Sequence, residues 1–246
     1  MKLTVLDSGS RANGYVLQNG TEALIIECGC SLHSCLEVLD YDSDKVAGCL
    51  ISHSHGDHSK YVWSYLERFK VFCSEGTATD TGILGEIGVV ILKKMSKVNA
   101  GGFEILPFDT QHDVNEPLGF LIRHEDMGTL LFATDTYYLK YRFDAMNHIL
   151  IECNYAENIL SDNIAKGNVP RFVLERVRRS HMSLETLKET LKANDLSGAV
   201  DIVLLHISKD NGDGERFKEE IESTFGIRTF IASKGLELEL NKDKLI

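Results

Sequence analysis

The chain has 246 residues, 43% of them hydrophobic and 26% charged, a balance that is ordinary for a water-soluble protein with a sizeable core. Its net charge of −11 argues against broad coating of nucleic acid, because nonspecific affinity comes from neutralisation of phosphates by Lys and Arg. The net charge does not exclude a local basic groove. There is no signal-peptide pattern, and no apolar run approaches the roughly 18 to 20 residues of a membrane span, so we expect a cytoplasmic protein without a membrane partner.

The N-terminal segment predicts short strands joined by turns. These strands are predicted at residues 3–6, 15–18 and 23–26. Asn19 and Gly20, between the last two, are a strong hairpin signal. Residues 7–14 are rich in turn-forming side chains. This loop is either a plain hairpin connection or a rim that offers backbone N–H groups, Arg11 and Asn13 to an anion, and the sequence leaves both interpretations open.

The most distinctive segment is a cluster of three histidines and an aspartate directly after an apolar, strand-like run. The cluster comprises His53, His55, Asp57 and His58. Imidazole and carboxylate are ligands that suit zinc, manganese and iron. His53 and His55 alternate along an extended loop, so both can face one ion. The turn at Gly56 leaves Asp57 and His58 free to serve a second ion. The alternative is a polar surface loop that binds no metal.

The remaining elements follow in an order that is typical of two packed sheets. Further strands are predicted at residues 46–51, 71–73, 89–92, 103–107, 118–123, 129–133, 148–152, 200–205, 228–231 and 236–240. Helices are predicted at residues 32–39, 59–69, 76–84, 158–165, 171–178, 184–193 and 215–225. Strands first, then alternating helices and strands, fit two sheets packed face to face with helices outside them. We expect one domain over residues 1–246.

Three more potential ligands lie where predicted strands end. His112 follows the strand that ends near Pro107, Asp135 follows the apolar strand 129–133, and His206 follows the strand 200–205. Each has a plain alternative: His112 as a surface histidine, Asp135 as a helix cap, and His206 as a hydrogen-bonded histidine at a strand end.

The pattern His-x-His-x-Asp-His after a strand, together with these strand-end residues, resembles the metallo-β-lactamase fold superfamily of binuclear metal hydrolases. The resemblance implies an α+β fold, an αββα four-layer sandwich of two mixed sheets flanked by helices. It also implies two divalent ions, Zn²⁺ or Mn²⁺ with iron as a further option. In that family pattern one ion is held by His53, His55 and His112, the other by Asp57, His58 and His206, and Asp135 bridges them.

The chain departs from the family at the end of its third strand. The family usually has an Asp-x-Gly-like turn there, whereas this chain has Glu27, Cys28 and Gly29. Glu27 is a longer carboxylate that could still support the histidine loop from behind. Most of the six cysteines lie in or beside apolar runs, so we expect buried, reduced thiols, which fit a cytoplasmic location.

Several short motifs narrow the resemblance to the YycJ/WalJ branch of metal-dependent nucleases that act on DNA ends. They lie at residues 8–13, 152–155, 179–183 and 205–211. The branch implies a phosphodiester hydrolase, namely an exonuclease on single-stranded DNA, with DNA a more expected substrate than RNA. Two other hypotheses remain: a thioester or lactone hydrolase on the same metal site, and a metal-bound binding module without catalysis.

The segment before His181 carries the densest basic cluster of this acidic chain. Its members are Arg171, Arg176, Arg178 and Arg179. Arg presents a planar donor fork that suits phosphate oxygens, so we expect Arg178 and Arg179 to contact the substrate. As a hypothesis, Asp57 orients a hydroxide that bridges the ions, and His181 protonates the leaving alkoxide as a general acid. Alternatively, the Arg cluster is a solvated helix face and His181 only packs against a helix cap.

Overall fold

The computed structural model describes residues 1–168 and 170–242, and within the basic cluster the side chain of Arg171 lies outside the described part. Two seven-stranded sheets are formed within these residues. In order across the first sheet the strands are β14 (Glu237–Glu239), β1 (Lys2–Asp7), β2 (Gly14–Gln18), β3 (Ala23–Ile26), β4 (Val46–Leu50), β5 (Val71–Cys73) and β6 (Val89–Ile91). Across the second sheet they are β13 (Arg228–Ile231), β12 (Asp201–Leu205), β11 (His148–Glu152), β10 (Gly128–Ala133), β9 (Leu118–His124), β8 (Phe103–Asp109) and β7 (Val98–Ala100).

Helices cover the outer face of each sheet. They are α1 (Leu32–Val38), α2 (Gly56–Ser59), α3 (Val62–Leu66), α4 (Glu75–Asp80), α5 (Glu157–Ala165), α6 (Arg171–Ser180), α7 (Leu184–Lys192) and α8 (Gly214–Phe225). A 3-10 turn lies at Ser43–Lys45. Ser31 and Ser183 are the N-caps of α1 and α7, since each side chain accepts a hydrogen bond from the first turn of its helix. None of the helices in the described residues has the length and apolar character to cross a membrane.

Three apolar layers separate the sheets and helices. Between the sheets, side chains such as Leu24, Phe120 and Phe132 are fully buried. In the second layer α7 and α8 pack against the second sheet, and Leu187 is fully buried. In the third layer α1 and α3 pack against the first sheet, and Tyr65 is fully buried. This is the four-layer αββα sandwich, so the predicted fold class is confirmed.

Strand direction brings several strand ends to one edge of the sandwich. In the first sheet β3 and β4 are parallel, so their carboxyl ends coincide. In the second sheet β10, β11 and β12 are parallel. β8 is antiparallel to β9, which is antiparallel to β10, so β8 runs in the same direction as β10. Residues that follow β4, β8, β10, β11 and β12 therefore gather at a single edge.

The structure differs from the predicted elements at two places that have clear physical reasons. The predicted helix 59–69 is two short helices, α2 and α3, because the N–H of Tyr61 donates to the carbonyl of Cys28 (3.0 Å) instead of to that of Asp57. The carbonyl of Asp57 accepts from the N–H of Asn13 (2.7 Å). Strand β7 was not predicted, because its three residues include a polar one and gain their hydrogen bonds only from the hairpin with β8.

Candidate metal centre

The seven predicted ligands meet at the shared strand edge in two overlapping groups. The first group is His53, His55, His112 and Asp135, and the second is Asp57, His58, Asp135 and His206. Within each group the potential ligand atoms all lie within 4.8 Å of one another. The Nδ1 of His55 and the Nε2 of His112 are 3.1 Å apart. The Asp57 Oδ2 is 3.2 Å from the His58 Nε2 and 3.3 Å from the His206 Nε2. The residues are thus spaced for two ions side by side.

Asp135 lies between the two groups. Its Oδ2 is 3.5 Å from the Nε2 of His58, and 3.7 Å and 3.8 Å from the Nε2 atoms of His53 and His112. Its Oδ1 accepts a hydrogen bond from the Thr134 hydroxyl (2.9 Å). One carboxylate oxygen therefore faces both groups. Burial raises the pKa of Asp135, but the neighbouring imidazoles hold it well below its ordinary value, so the carboxyl is ionised.

A buried nitrogen without a hydrogen-bond partner indicates that the residues fit a metal ion. The Nε2 of His53 is buried and has no such partner among the described residues. An unsatisfied buried polar group costs about 1–3 kcal/mol, and a coordinated ion removes that cost. Burial, together with the neighbouring His58, keeps the pKa of His53 well below its ordinary value, so the imidazole is neutral. Neutral imidazoles and ionised carboxylates are the states that bind divalent metal, and His53 and Asp135 are in these states, whereas nearby carboxylates outweigh burial and raise the pKa of His58 and His206.

Hydrogen bonds behind the ligands fix their orientation. The Nδ1 of His112 donates to the carbonyl of Ser180, the last residue of α6 (2.8 Å), which leaves Nε2 facing the site. The Nδ1 of His53 hydrogen-bonds to the Ser52 hydroxyl (2.9 Å). Partners of this kind set the tautomer of a metal-binding histidine and raise its basicity.

Glu27 occupies the position at which the chain departs from the family pattern. It is fully buried, and its Oε1 lies 3.5 Å from the Nδ1 of His58. Its Oε2 accepts a long hydrogen bond from the N–H of Ser52 (3.4 Å) at the start of the histidine loop. The longer carboxylate therefore contacts both ends of that loop, as the sequence suggested it could.

Three residues of the site adopt left-handed backbone conformations directly after strands. The φ angles are 66° at Glu27, 42° at Asp135 and 52° at His206. For residues with a side chain such conformations cost about 1–3 kcal/mol each and persist only where the surrounding structure enforces them. The turn at each strand end directs a carboxylate or imidazole into the site, so this strain coincides with the chemistry.

Glu152, at the end of β11, is a site residue that the sequence reasoning did not assign. Its Oε1 accepts a hydrogen bond from the Nδ1 of His181 (2.7 Å) and lies 3.4 Å from the Nδ1 of His206. Its Oε2 accepts from the backbone N–H groups of Thr136 (2.9 Å) and Met182 (3.1 Å). The signal was present, because Glu152 ends a buried apolar strand in the same way as the assigned ligands do.

His181 lies beside the predicted ligands. Its ring is stacked on that of His206 with centroids 5.4 Å apart, and it is 5.6 Å from the ring of His112. Burial lowers the pKa of His181, but the ionised Glu152 more than compensates and raises it above its ordinary value. Burial likewise raises the pKa of Glu152, and the His181 imidazolium lowers it below the ordinary value. Each partner therefore favours the charged form of the other.

The residues predicted to contact phosphate lie in different environments. Asn13 is fully buried beneath the ligands, and its amide donates to the Asp57 Oδ2 (3.1 Å) and lies 3.0 Å from the His58 Nε2. The Nε of Arg178 donates to Glu157 on α5 (3.0 Å). Arg179 is exposed and forms no ion pair with any other described residue. Of the three, Arg179 is the one whose donors face solvent.

Comparison with known proteins gives one family. A family model described as a beta-lactamase superfamily domain matches residues 24–207. Exodeoxyribonuclease YycJ of Bacillus anthracis is 22% identical over 265 aligned positions, which cover 100% of this chain and 97% of the relative.

Solved structures show the same fold. The metallo-β-lactamase fold protein YhfI from Bacillus subtilis has a TM-score of 0.73 at 17% identity, covering 96% of this chain and 98% of that one. Zn²⁺-bound PqqB from Methylobacterium extorquens has a TM-score of 0.72 at 13% identity, covering 98% and 100%.

Proposed function

The chain belongs to the beta-lactamase superfamily, as its sequence resemblance indicated, and it is a hydrolase of that fold. From this premise we propose that it is a metal-dependent nuclease that cleaves phosphodiester bonds, acting as an exonuclease on single-stranded DNA. One geometric observation carries the proposal: the imidazole of His181 is hydrogen-bonded to Glu152 (2.7 Å) beside the two groups of predicted metal ligands. The alkoxide released from a phosphodiester is a poor leaving group that needs a proton, and His181 can supply it.

The proposed ion-binding residues are the seven predicted ligands of the candidate metal centre, and the proposed cofactors are two divalent ions. When bound, such a pair supplies a hydroxide nucleophile at neutral pH and neutralises charge on the phosphate. Zinc or manganese suits this donor set, and the structural neighbour PqqB is Zn²⁺-bound. Since the ligands come from both sheets and β14 pairs with β1, we propose that residues 1–246 act as one hydrolase domain.

The protein's own residues then have separate roles in the cleavage reaction. Asp57 accepts a hydrogen bond from the attacking water and fixes its direction, while the Asn13 amide, by donating to the Asp57 Oδ2, holds that carboxylate in place. His181 donates the proton on its Nε2 to the leaving oxygen, because its Nδ1 proton is engaged by Glu152. Arg179, at the end of α6, offers a free donor fork to a nonbridging phosphate oxygen.

Two further parts of the proposal concern the type of nucleic acid and the cellular location. DNA is preferred to RNA because the relative from Bacillus anthracis is an exodeoxyribonuclease. A cytoplasmic location is supported by the cysteines, all six of which are buried free thiols in the described chain, whereas disulfides are common in oxidising compartments.

The deciding experiment is cleavage of an end-labelled single-stranded DNA oligonucleotide by purified protein, with zinc and manganese added separately. The Asp135→Ala variant removes the bridging carboxylate, and Asp195→Ala, at an exposed site away from the ligands, is the matched control. We expect metal-dependent degradation by the wild type and by Asp195→Ala and none by Asp135→Ala. If no DNA or RNA is cleaved while a thioester or lactone is hydrolysed, the nuclease proposal is wrong and the small-molecule alternative holds.

A further inference from the structure

Helix α6 leads away from the candidate metal centre. Its last residue, Ser180, accepts the hydrogen bond from His112, and the next residue is His181. With about 1.5 Å of rise per residue, the ten residues of α6 extend roughly 15 Å from the centre. A substrate that follows this helix would therefore reach the ligands at its carboxyl end.

One exposed face of α6 combines an aromatic ring with free cations. At about 100° per residue, Phe172, Arg176 and Arg179 fall within an arc of about 60°. We call these three residues the α6 stripe. The Phe172 side chain is 75% exposed, so its ring is accessible to another molecule. Both arginines are exposed, and neither forms an ion pair with a residue in the described ranges.

The opposite face and one flank of α6 hold the helix in place. Val177 is buried in a small apolar cluster with Leu160 of α5 and Tyr155. Arg178 forms an ion pair with Glu157, the first residue of α5, through its Nε and Nη2. The orientation of the stripe is thus set by contacts that the stripe residues do not make themselves, so their side chains are available for another molecule.

We propose that the α6 stripe binds an unpaired nucleic-acid strand that enters the metal centre, with Arg179 and Arg176 on successive backbone phosphates and Phe172 stacked on a base. This inference rests on the proposed nuclease function and adds the surface that holds the strand outside the metal centre. Arg forks match phosphate oxygens, and base stacking on an aromatic ring is independent of sequence but requires a base outside a duplex. In a chain of net charge −11 such free cations are a specific attraction for a polyanion.

The carboxylate of Glu175 supplies an internal control on this face. It is exposed and lies on the same side of α6, next to the stripe. A negative charge there repels a phosphate backbone. Its replacement by Gln should therefore strengthen strand binding, whereas loss of a residue with a purely structural role would not produce a gain.

The test compares a strand with a small phosphodiester on the same metal-loaded enzyme. The substrates are a single-stranded DNA oligonucleotide, the corresponding blunt duplex and bis(4-nitrophenyl) phosphate, and kcat/KM is measured for each. Phe172→Ala should lower kcat/KM on the single strand by about tenfold and much less on the duplex. Arg176→Ala and Arg179→Ala should each make the dependence of log KM on log salt shallower by about 0.7. Turnover of the small substrate should not change in Phe172→Ala or Arg176→Ala, and Glu175→Gln should raise kcat/KM on the strand.

Arg68→Ala, which removes another exposed cation that lies shortly after α3 and outside the basic cluster, is the matched control and should behave as wild type. If the stripe variants degrade the oligonucleotide as the wild type does, the stripe proposal is wrong and the nuclease function stands. If turnover of the small substrate falls in parallel in Phe172→Ala or Arg176→Ala, the helix acts only by supporting His112, and the proposal is likewise overturned. If the wild type turns over the small substrate and no oligonucleotide, the nuclease function itself fails.

Discussion

Replacement of Glu152 by Gln isolates the contact between the buried carboxylate and His181. The Gln carbonyl can still accept from the N–H groups of Thr136 and Met182, which lie 2.9 and 3.1 Å from the carboxylate oxygen in the wild type. Its amide NH₂ then faces the His181 Nδ1, where the wild type has an acceptor at 2.7 Å. The variant therefore keeps the shape and the backbone contacts but no longer stabilises an imidazolium.

The magnitude follows from the charge on that hydrogen bond. A hydrogen bond to a charged group contributes about 1.5–3 kcal/mol, which corresponds to a decrease of about 10- to 150-fold in kcat on single-stranded DNA. Glu152 also lies 3.4 Å from the His206 Nδ1, and loss of such a partner typically weakens metal binding about 10- to 100-fold. Both effects are separated when kcat is measured at saturating metal and the metal content by mass spectrometry.

A double-mutant cycle with His181→Ala decides whether Glu152 acts through His181. His181→Ala should slow cleavage by about 10²- to 10⁴-fold, with both ions retained. In that background Glu152→Gln should cost little more in kcat, because the imidazolium it stabilises is gone. Glu189→Gln, an exposed carboxylate on α7, serves as the matched control. If the two losses multiply, or if His181→Ala loses its metal, the assignment of His181 as general acid is wrong.

Three further outcomes test other parts of the structure. Asp135→Ala should lose cleavage and bind fewer than two ions per chain; if this variant retains both ions, Asp135 does not bridge them. Chelation of metal from the wild type should lower Tm, and metal at 100 times its Kd should restore about 2.7 kcal/mol of stabilisation. Arg178→Ala should lower the free energy of unfolding by about 0.2–1 kcal/mol and leave KM for DNA unchanged, because its guanidinium is engaged in a half-exposed ion pair. Arg179→Ala should instead raise KM for DNA; equal effects of the two variants on KM would refute the assignment of substrate binding to Arg179 alone. Burial raises the pKa of Glu22, but hydrogen bonds from the Gly102 N–H and His124 hold it below its ordinary value. Ionised Glu22 therefore stabilises the fold above its unfolded pKa of about 4.3, and this contribution is lost as the pH falls further. Glu22→Gln should accordingly lower Tm at pH 7, with a smaller difference at pH 4; a constant difference would show that its charge is irrelevant.

The positions of the ligands could be predicted because they follow from strand direction. A residue up to three positions after an apolar strand lies near the strand's carboxyl end, and parallel strands place these ends together. This holds for His53, His112, Asp135 and His206, which are far apart in the chain and close in the structure. The same rule applies to Glu152, which ends β11, so its place in the site was available from the sequence as well.

The partners of Arg178 and Asn13 could not be predicted, because they depend on how separate elements pack. Arg178 meets Glu157 only when α5 and α6 lie side by side, and no local pattern distinguishes it from the neighbouring Arg179. Asn13 lies in a turn-rich loop whose sequence is compatible with a surface rim. The loop instead folds inward, because the backbone N–H of Asn13 donates to the carbonyl of Asp57. That carbonyl is free since the helix breaks after α2, so one unpredicted helix end also determines the environment of Asn13. Local patterns thus locate the side chains that end strands, whereas the hydrogen bonds that orient them depend on contacts between distant segments.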